Sequence, residues 1–249
     1  MEQNKRRIRL KVAYDGTNYC GWQLQPNGNT VQAELEKALE SLLKEKVRIH
    51  GASRTDAGVH ALGNVAVFDT SFRMEASRFA FALNTYLPPD IRIRCSDEVP
   101  CDWHPRFQEM VKTYAYNICN STFPDPLKRL YSFFYHYPLN ESAMQEAASF
   151  LVGTHDFTSF CTMQPNVHDR VRTIYSMDVI RDGDMITIRV TGNGFLYNMV
   201  RIIAGTLIRV GGGFIKPEEV RTILEAKDRE AAAETARPEG LTLEEIRYV

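Results

Sequence analysis

The sequence predicts an α+β fold made of two ferredoxin-like halves, each with the element order β-α-β-β-α-β. Three observations predict this fold. Segments with the two-residue period of strands alternate with segments of helical period, the same order of elements occurs twice, and a strong turn signal joins two strands of the second half. We expect mostly antiparallel sheets joined around a central cleft, with the halves at residues 1–104 and 105–249.

The first half shows the clearest strand at its start and the clearest helix after a long polar loop. Ile8, Leu10, Val12 and Tyr14 fall on one face of an alternating segment. Thr30 is a good N-cap for the apolar stripe that follows it. The predicted elements are strands at 8–14, 47–53, 65–68 and 91–95, helices at 31–44 and 74–86, and loops at 15–30 and 54–60.

The second half repeats this order and adds one helix. Asp182-Gly183 is a typical hairpin turn, and Asn140 is the expected cap of the first helix. The run Gly211–Gly213 is expected to end a long apolar helix. The predicted elements are strands at 111–119, 172–181, 185–190 and 241–248 and helices at 141–151, 195–210 and 216–226.

The composition is typical of a soluble folded protein and excludes several classes. The 249 residues include 30 Lys and Arg against 31 Asp and Glu, and 44% are hydrophobic, which excludes a disordered chain. Apolar runs are too short for a membrane-spanning helix, so we expect no membrane partner. The 5 cysteines form no C-x-x-C pair, which favours free thiols in the cytoplasm and no metal site.

The segment from Gly51 to Ala61 is the most unusual stretch of the sequence. Arg54 and Asp56 are two residues apart, so in extended backbone their side chains point to the same side. Gly58 permits a sharp turn directly after the carboxylate, or the close approach of a ligand. A carboxylate beside a cation stays ionised and can act as a nucleophile or a base. The alternative is an Asp that caps the next turn, with a surface Arg nearby.

Two further segments carry charged and aromatic side chains in patterns that suggest binding. Lys112 and Tyr114 share one face of a predicted strand, as in RNA-binding sheets that stack bases beside cations. Core packing of the tyrosine is the alternative. Arg201 lies in an otherwise apolar helix, where a buried guanidinium needs a carboxylate partner. Asp56 is one candidate for that partner among many.

Taken together and in order, these segments resemble the tRNA pseudouridine synthase A family. The resemblance covers almost the whole chain, and the run from Arg54 to Ala61, RTDAGVHA, is its most specific part. The other matching segments are Tyr14–Gly16, Gly21–Gln23, Lys112–Tyr116, Gly153–Phe160, Arg172–Ile174, Phe195–Tyr197 and Pro238–Leu241. One departure is Asn198, where members of the family usually carry His.

The resemblance implies an enzyme that isomerises uridine to pseudouridine in the anticodon stem-loop of tRNA, at positions 38, 39 and 40. It implies a homodimer with tRNA as its partner, and no metal or organic cofactor. By the resemblance, Asp56 is the catalytic aspartate, carried by the N-terminal half, and Tyr114 stacks on the target base. Arg54 takes the place of the flipped base, Arg201 pairs with the aspartate, and Leu241 lines the pocket.

Three questions stay open at this stage. The aspartate could attack C1′ of the ribose or remove a sugar proton to start an elimination. We expect tRNA to follow a basic cleft that includes Lys11, Arg54, Arg106 and Lys112, although the basic N-terminal strand could equally be a solvated edge. The alternative function is a non-catalytic RNA-binding protein of two recognition-motif-like units. Against this alternative, no RNP1-type run is present. A carboxylate-dependent hydrolase is a further alternative, but it would need a second catalytic carboxylate, and no such pair stands out.

Overall fold

The computed structural model describes residues 5–162 and 169–249, and the chain divides into two compact units. The first unit comprises Met1–Glu109 together with Leu243–Val249, and the second comprises Met110–Thr242. Both units mix helices with mostly antiparallel strands, so the predicted α+β class is confirmed. Among the described residues, no helix is long and apolar enough to cross a membrane.

The elements of the two units follow each other along the chain in nearly the expected order. Those before residue 110 are β1 (Arg6–Tyr14), α1 (Val31–Leu43), β2 (His50–Gly51), β3 (His60–Thr70), α2 (Arg78–Asn84) and β4 (Ile91–Val99). Those that follow are β5 (Met110–Asn120), β6 (Phe133–Tyr135), α3 (Glu141–Ser149), β7 (Gly153–Asp156), β8 (Val171–Asp182), β9 (Met185–Gly192), α4 (Met199–Gly211), α5 (Glu219–Ala226) and β10 (Leu241–Tyr248).

The sheet of the first unit has the strand order β4-β1-β3-β10, and β2 also pairs with β3. The β1–β3 and β1–β4 pairs are antiparallel, with Ile8 opposite Phe68. The apolar face of β1 is fully buried, and Phe68 packs edge-on against Phe79 of α2. Thr30 caps α1 as predicted, because its hydroxyl accepts the Ala33 N–H at 3.2 Å.

The sheet of the second unit has the order β5-β9-β8-β7, with β6 parallel to β5. The predicted hairpin is confirmed: β8 and β9 pair antiparallel on either side of the turn, where Gly183 has φ +54°. Asn140 caps α3 by accepting the Ala143 N–H at 3.1 Å. The long apolar helix α4 ends at Gly211, as the glycine run predicts.

Several predicted boundaries are wrong for identifiable reasons. The strand expected at 47–53 shrinks to His50–Gly51, because side chains of α1 take the backbone groups of Ile49: Glu36 accepts its N–H and Gln32 donates to its carbonyl. The helix expected at 74–86 spans Arg78–Asn84, since turn-type bonds replace helical ones at both ends. The short strands β6 and β7 were not predicted.

Candidate functional site

The loop that carries Asp56 connects β2 to β3 and turns sharply after the carboxylate. The Val59 N–H donates to the Asp56 carbonyl at 3.2 Å, and Gly58 adopts φ +77°. The sequence predicted a sharp turn after the carboxylate, and the left-handed conformation found there favours glycine. Asp56 is half-buried, whereas Arg54 is exposed. The loop therefore presents its carboxylate from a turn with defined hydrogen bonds.

A second loop, which follows β1, holds the Asp56 loop in place through its backbone. The Trp22 N–H donates to the Thr55 carbonyl at 3.0 Å, and the Gly58 N–H donates to the Tyr19 carbonyl at 3.2 Å. The two backbones approach closely enough to require glycine, because a Cβ on Gly21 would lie 2.6 Å from the Thr55 carbonyl oxygen. This contact explains the glycine of the Gly21–Gln23 motif in physical terms.

Buried side chains also hold the Asp56 loop, and together with the second loop they form a clamp around it. The hydroxyl of Tyr14 hydrogen-bonds the Thr55 hydroxyl at 2.6 Å, directly beside Asp56 in the chain. Asn64, which is fully buried, donates to the Ser53 carbonyl at 3.0 Å and to the Tyr14 hydroxyl at 3.3 Å. Buried polar groups with such partners fix one conformation, because each group left without a partner costs free energy.

The far end of the loop is fastened by His60, the first residue of β3. Its Nδ1 accepts the Gly16 N–H at 3.0 Å and lies 3.2 Å from the Asp15 carboxylate. A nitrogen that accepts an N–H cannot also donate to a carboxylate, and Thr17 already donates to the same Asp15 oxygen through its N–H and its hydroxyl. We therefore assign His60 Nδ1 as an acceptor that joins the two loops.

The basic residues of the first unit fall into two places. Arg106 donates through Nε to the Gly51 carbonyl at 2.9 Å, at the base of the Asp56 loop. Burial lowers the pKa of Arg106, and the positive charge of Arg54 lowers that pKa further. Lys11 lies on β1 opposite Val65 and Cys95. The structure therefore brings Arg54 and Arg106 together and places Lys11 in the sheet.

In the second unit, the aromatic strand predicted from the sequence is β5. Tyr114 is buried and contacts Phe195 edge-on, with ring centroids 5.2 Å apart and planes at 82°. Lys112 lies on the same strand opposite Gly192. Tyr116 is fully buried and donates its hydroxyl to the Arg237 carbonyl at 2.9 Å. Tyr116 is therefore a core residue.

Arg201 lies in the first turn of α4 and is held by two groups of the second unit. Its Nε donates to the Ala236 carbonyl at 2.7 Å, and its Nη1 donates to the Asn198 side-chain oxygen at 3.0 Å. Asn198 in turn donates to the Thr162 hydroxyl at 3.0 Å. The helix predicted from Phe195 begins only at Met199, because Asn198 adopts the left-handed conformation, with φ +60°.

The candidate residues are divided between the two units. The first unit contains Lys11, Arg54, Asp56 and Arg106, and the second contains Lys112, Tyr114, Arg201 and Leu241. Leu241 is buried at the start of β10. Within residues 5–162 and 169–249, no group of three or more His, Cys, Asp or Glu side chains could hold a metal ion.

Sequence reasoning missed the residues that hold the candidate side chains in place. Tyr14 was interpreted as part of an apolar strand face and as part of a segment matching the family, but not as a support of the Asp56 loop, and Asn64 was not singled out. A signal for Asn64 existed, because an amide within the apolar run of β3 must find buried partners. Asn198 was noted only as a departure from the family pattern, although Asn is enriched at left-handed positions.

Comparisons with known proteins identify a matching family. A family model described as tRNA pseudouridine synthase matches residues 11–108 and 147–249. These segments include Asp56, Arg201 and Leu241, whereas Tyr114 lies between them.

Three relatives match over nearly their whole lengths, and each is named tRNA pseudouridine synthase A. The protein of Bacillus subtilis is 49% identical over 97% of this chain and 99% of its own length. The protein of an Exiguobacterium species is 49% identical over 98% of both chains. The protein of Brevibacillus brevis is 47% identical over 98% of this chain and 100% of its own length. The chain therefore belongs to the tRNA pseudouridine synthase family.

Proposed function

We propose that the protein isomerises uridine to pseudouridine in tRNA, within the anticodon stem-loop at positions 38, 39 and 40. The observation that carries the proposal is the near-complete match to proteins named tRNA pseudouridine synthase A. The first matched segment of the family model contains the whole Asp56 loop and the second loop that clamps it. A catalytic group benefits from such preorganisation, since small displacements of a reacting group reduce the rate strongly.

The reaction rearranges one nucleotide without adding or removing atoms overall. The bond between N1 of uracil and C1′ of ribose breaks, the base rotates, and C5 joins C1′. The hydrogen on C5 leaves as a proton, and N1 gains one. Asp56 is the proposed catalytic group, either by attack on C1′ or by removal of a sugar proton. The target uridine must leave the base stack first, which costs a few kcal/mol.

The other candidate residues have supporting roles in this proposal. Tyr114 stacks on the target uracil and Leu241 lines the pocket. Arg201 pairs with Asp56 and keeps it ionised, because a nearby cation lowers the pKa of a carboxyl. Arg54 occupies the place of the flipped base. The hydrogen bonds of Arg201 to Ala236 and Asn198 fix the position of its guanidinium group, as a positioning role requires.

The proposal extends to the assembly and the location of the protein. Two ferredoxin-like halves, 1–104 with the catalytic loop and 105–249, would be joined around a central cleft, and the protein would act as a cytoplasmic homodimer. The order β-α-β-β-α-β of the first six elements supports the description of the N-terminal half. Lys11, Arg54, Arg106 and Lys112 would line the path of the tRNA. Binding should then weaken steeply as salt rises, because phosphate contacts release counterions.

Tritium release tests the proposed reaction directly. The substrate is a tRNA transcript with tritium on C5 of uridine, and transcripts that lack uridine at positions 38, 39 and 40 serve as controls. We expect tritium release from the first transcript alone, since forming the C5–C1′ bond displaces the C5 hydrogen. Release that is equal from both transcripts would contradict the proposed positions, and no release from either would contradict the activity.

A further inference from the structure

Three aromatic rings form a ladder at the surface of the first unit. The rings of His104 and Phe107 are stacked, with centroids 4.3 Å apart and planes at 23°, and the ring of His50 lies 5.8 Å from His104. Phe107 is 81% exposed, so the outer rung of this aromatic ladder faces solvent. An exposed phenylalanine that is stacked on another ring offers a flat apolar face to a ligand.

The loop between β4 and β5, which carries His104 and Phe107, is held by hydrogen bonds of its own. The Phe107 N–H donates to the His104 carbonyl at 3.1 Å, and the Arg106 N–H donates to His104 Nδ1 at 3.2 Å. The second bond needs an unprotonated nitrogen. In agreement, burial lowers the pKa of His104, and the nearby charges of His50, Arg106 and Arg7 lower it further.

Two side chains from the sheet fasten the same loop from below. Arg7 donates through Nη1 to the Trp103 carbonyl at 2.9 Å, and the Tyr248 hydroxyl donates to the Pro105 carbonyl at 3.0 Å. The rings of Trp103 and Tyr248 also pack edge-on, with centroids 4.9 Å apart. Phe107 is therefore exposed on a rigid backbone, and ligand binding would require little ordering of the loop.

The charge beside the ladder favours an anionic ligand. Arg106 bonds to the backbone of Gly51 next to the ladder residue His50, and its pKa is lowered by Arg54, so two cations lie at this surface. Neither forms an ion pair within the part of the chain that the structure describes, whereas Arg7 is paired with Asp69. Stacking rings beside unneutralised guanidinium groups are the combination that binds single-stranded nucleic acid.

We propose that the aromatic ladder of His50, His104 and Phe107 is a stacking site for an unpaired base of the RNA substrate. Arg106 binds the phosphate next to that base. The inference rests on the proposed function in naming RNA as the ligand. The stacking site is a second contact between the protein and the RNA, separate from the contact with the uridine that reacts. A base inside a duplex has both faces covered by its neighbours, so the site selects unpaired nucleotides.

Equilibrium binding tests the stacking site with a fluorescent anticodon stem-loop RNA. We expect Phe107→Ala to weaken binding about tenfold, because one base loses its aromatic partner. Phe107→Trp keeps a stacking face and should bind within about twofold of the parent protein. Phe81→Ala is the matched control, since Phe81 is 73% exposed on α2 and lies outside the ladder. The same stem without its loop should bind the parent and Phe107→Ala equally.

The outcomes separate this inference from the proposed reaction. Parent protein that forms pseudouridine, together with unchanged affinity of Phe107→Ala for the stem-loop, would overturn the stacking site alone. Equal losses of affinity in Phe107→Ala and Phe81→Ala would also overturn it. Parent protein that forms no pseudouridine, together with a selective loss of affinity in Phe107→Ala, would overturn the proposed reaction and support the stacking site.

Discussion

The hydroxyl of Tyr14 connects the first strand to the loop that carries Asp56, and Tyr14→Phe removes that hydroxyl alone. Tyr14 is only 4% exposed and Thr55 only 7%, so water cannot easily replace the lost partner. Their hydrogen bond of 2.6 Å spans 41 residues of sequence. The substitution therefore tests whether this buried contact positions the Asp56 loop.

The expected magnitude follows from what the substitution leaves behind. A buried hydroxyl without its partner costs about 1–3 kcal/mol, and Thr55 is left in this state. The cost at Asn64 is smaller, because its side chain keeps the hydrogen bond to the Ser53 carbonyl. We expect Tyr14→Phe to lower the free energy of unfolding by about 2 kcal/mol. The turnover rate should fall about tenfold or more, since Thr55 adjoins Asp56, the proposed catalytic group, and a displacement of a reacting group is costly.

A double-mutant cycle measured by urea unfolding isolates this contact. Thr55→Val removes the other hydroxyl, and the double variant leaves neither group stranded. We expect the double variant to lose at least about 1 kcal/mol less than the sum of the single variants. Single-turnover rates and RNA affinities of the same proteins separate loop position from binding, because no phosphate contact is removed.

If the losses of unfolding free energy in the two single variants add up to the loss in the double variant within about 0.5 kcal/mol, the two hydroxyls do not interact in solution. A parent-like turnover rate in Tyr14→Phe would show that the contact does not position the loop. Either result would refute the clamp as described.

Three further substitutions test other structural supports, and one of them, Gly183→Ala, serves as a control. Gly21→Ala should lower the unfolding free energy by more than about 2 kcal/mol, because Gly21 has φ +89° and its Cβ would meet the Thr55 carbonyl. Gly183→Ala, with φ +54° and no atom within 4 Å, should cost only about 1 kcal/mol, and a larger loss than in Gly21→Ala would contradict the steric argument. Asn198→Gly keeps the left-handed conformation but removes the acceptor for Arg201, so the turnover rate should fall about tenfold with RNA affinity unchanged. Parent-like turnover in that variant would exclude a positioning role for Asn198.

Local sequence patterns were sufficient to predict those elements whose formation depends mainly on residues close together in the sequence. The final strand was predicted at 241–248 and is observed at Leu241–Tyr248, although its burial alternates only over its first four residues. The hairpin at Asp182-Gly183 was predicted because the turn type restricts its residues. The strand expected at 47–53 failed because Glu36 and Gln32, distant in sequence, take the backbone groups of Ile49.

The candidate site likewise has a part that the sequence predicts and a part that it does not. The small residues around Arg54 and Asp56 were enough to single out the loop, because glycine and an ionisable pair are local features. Its supports could not be predicted, since the contacts of Tyr14 with Thr55 and Asn64 join residues 41 and 50 positions apart. Sequence period assigns such residues to a buried face but does not identify their hydrogen-bond partners.

The proposed catalytic role of Asp56 is tested most directly by Asp56→Asn in a single-turnover assay on the anticodon stem-loop. The substitution keeps the size of the side chain and removes its charge, while the phosphate contacts are left in place. We predict that pseudouridine formation is almost completely lost and that affinity for the RNA changes by less than about tenfold, or ~1.4 kcal/mol. Product formation near the parent rate would contradict the assignment of Asp56 as the catalytic group.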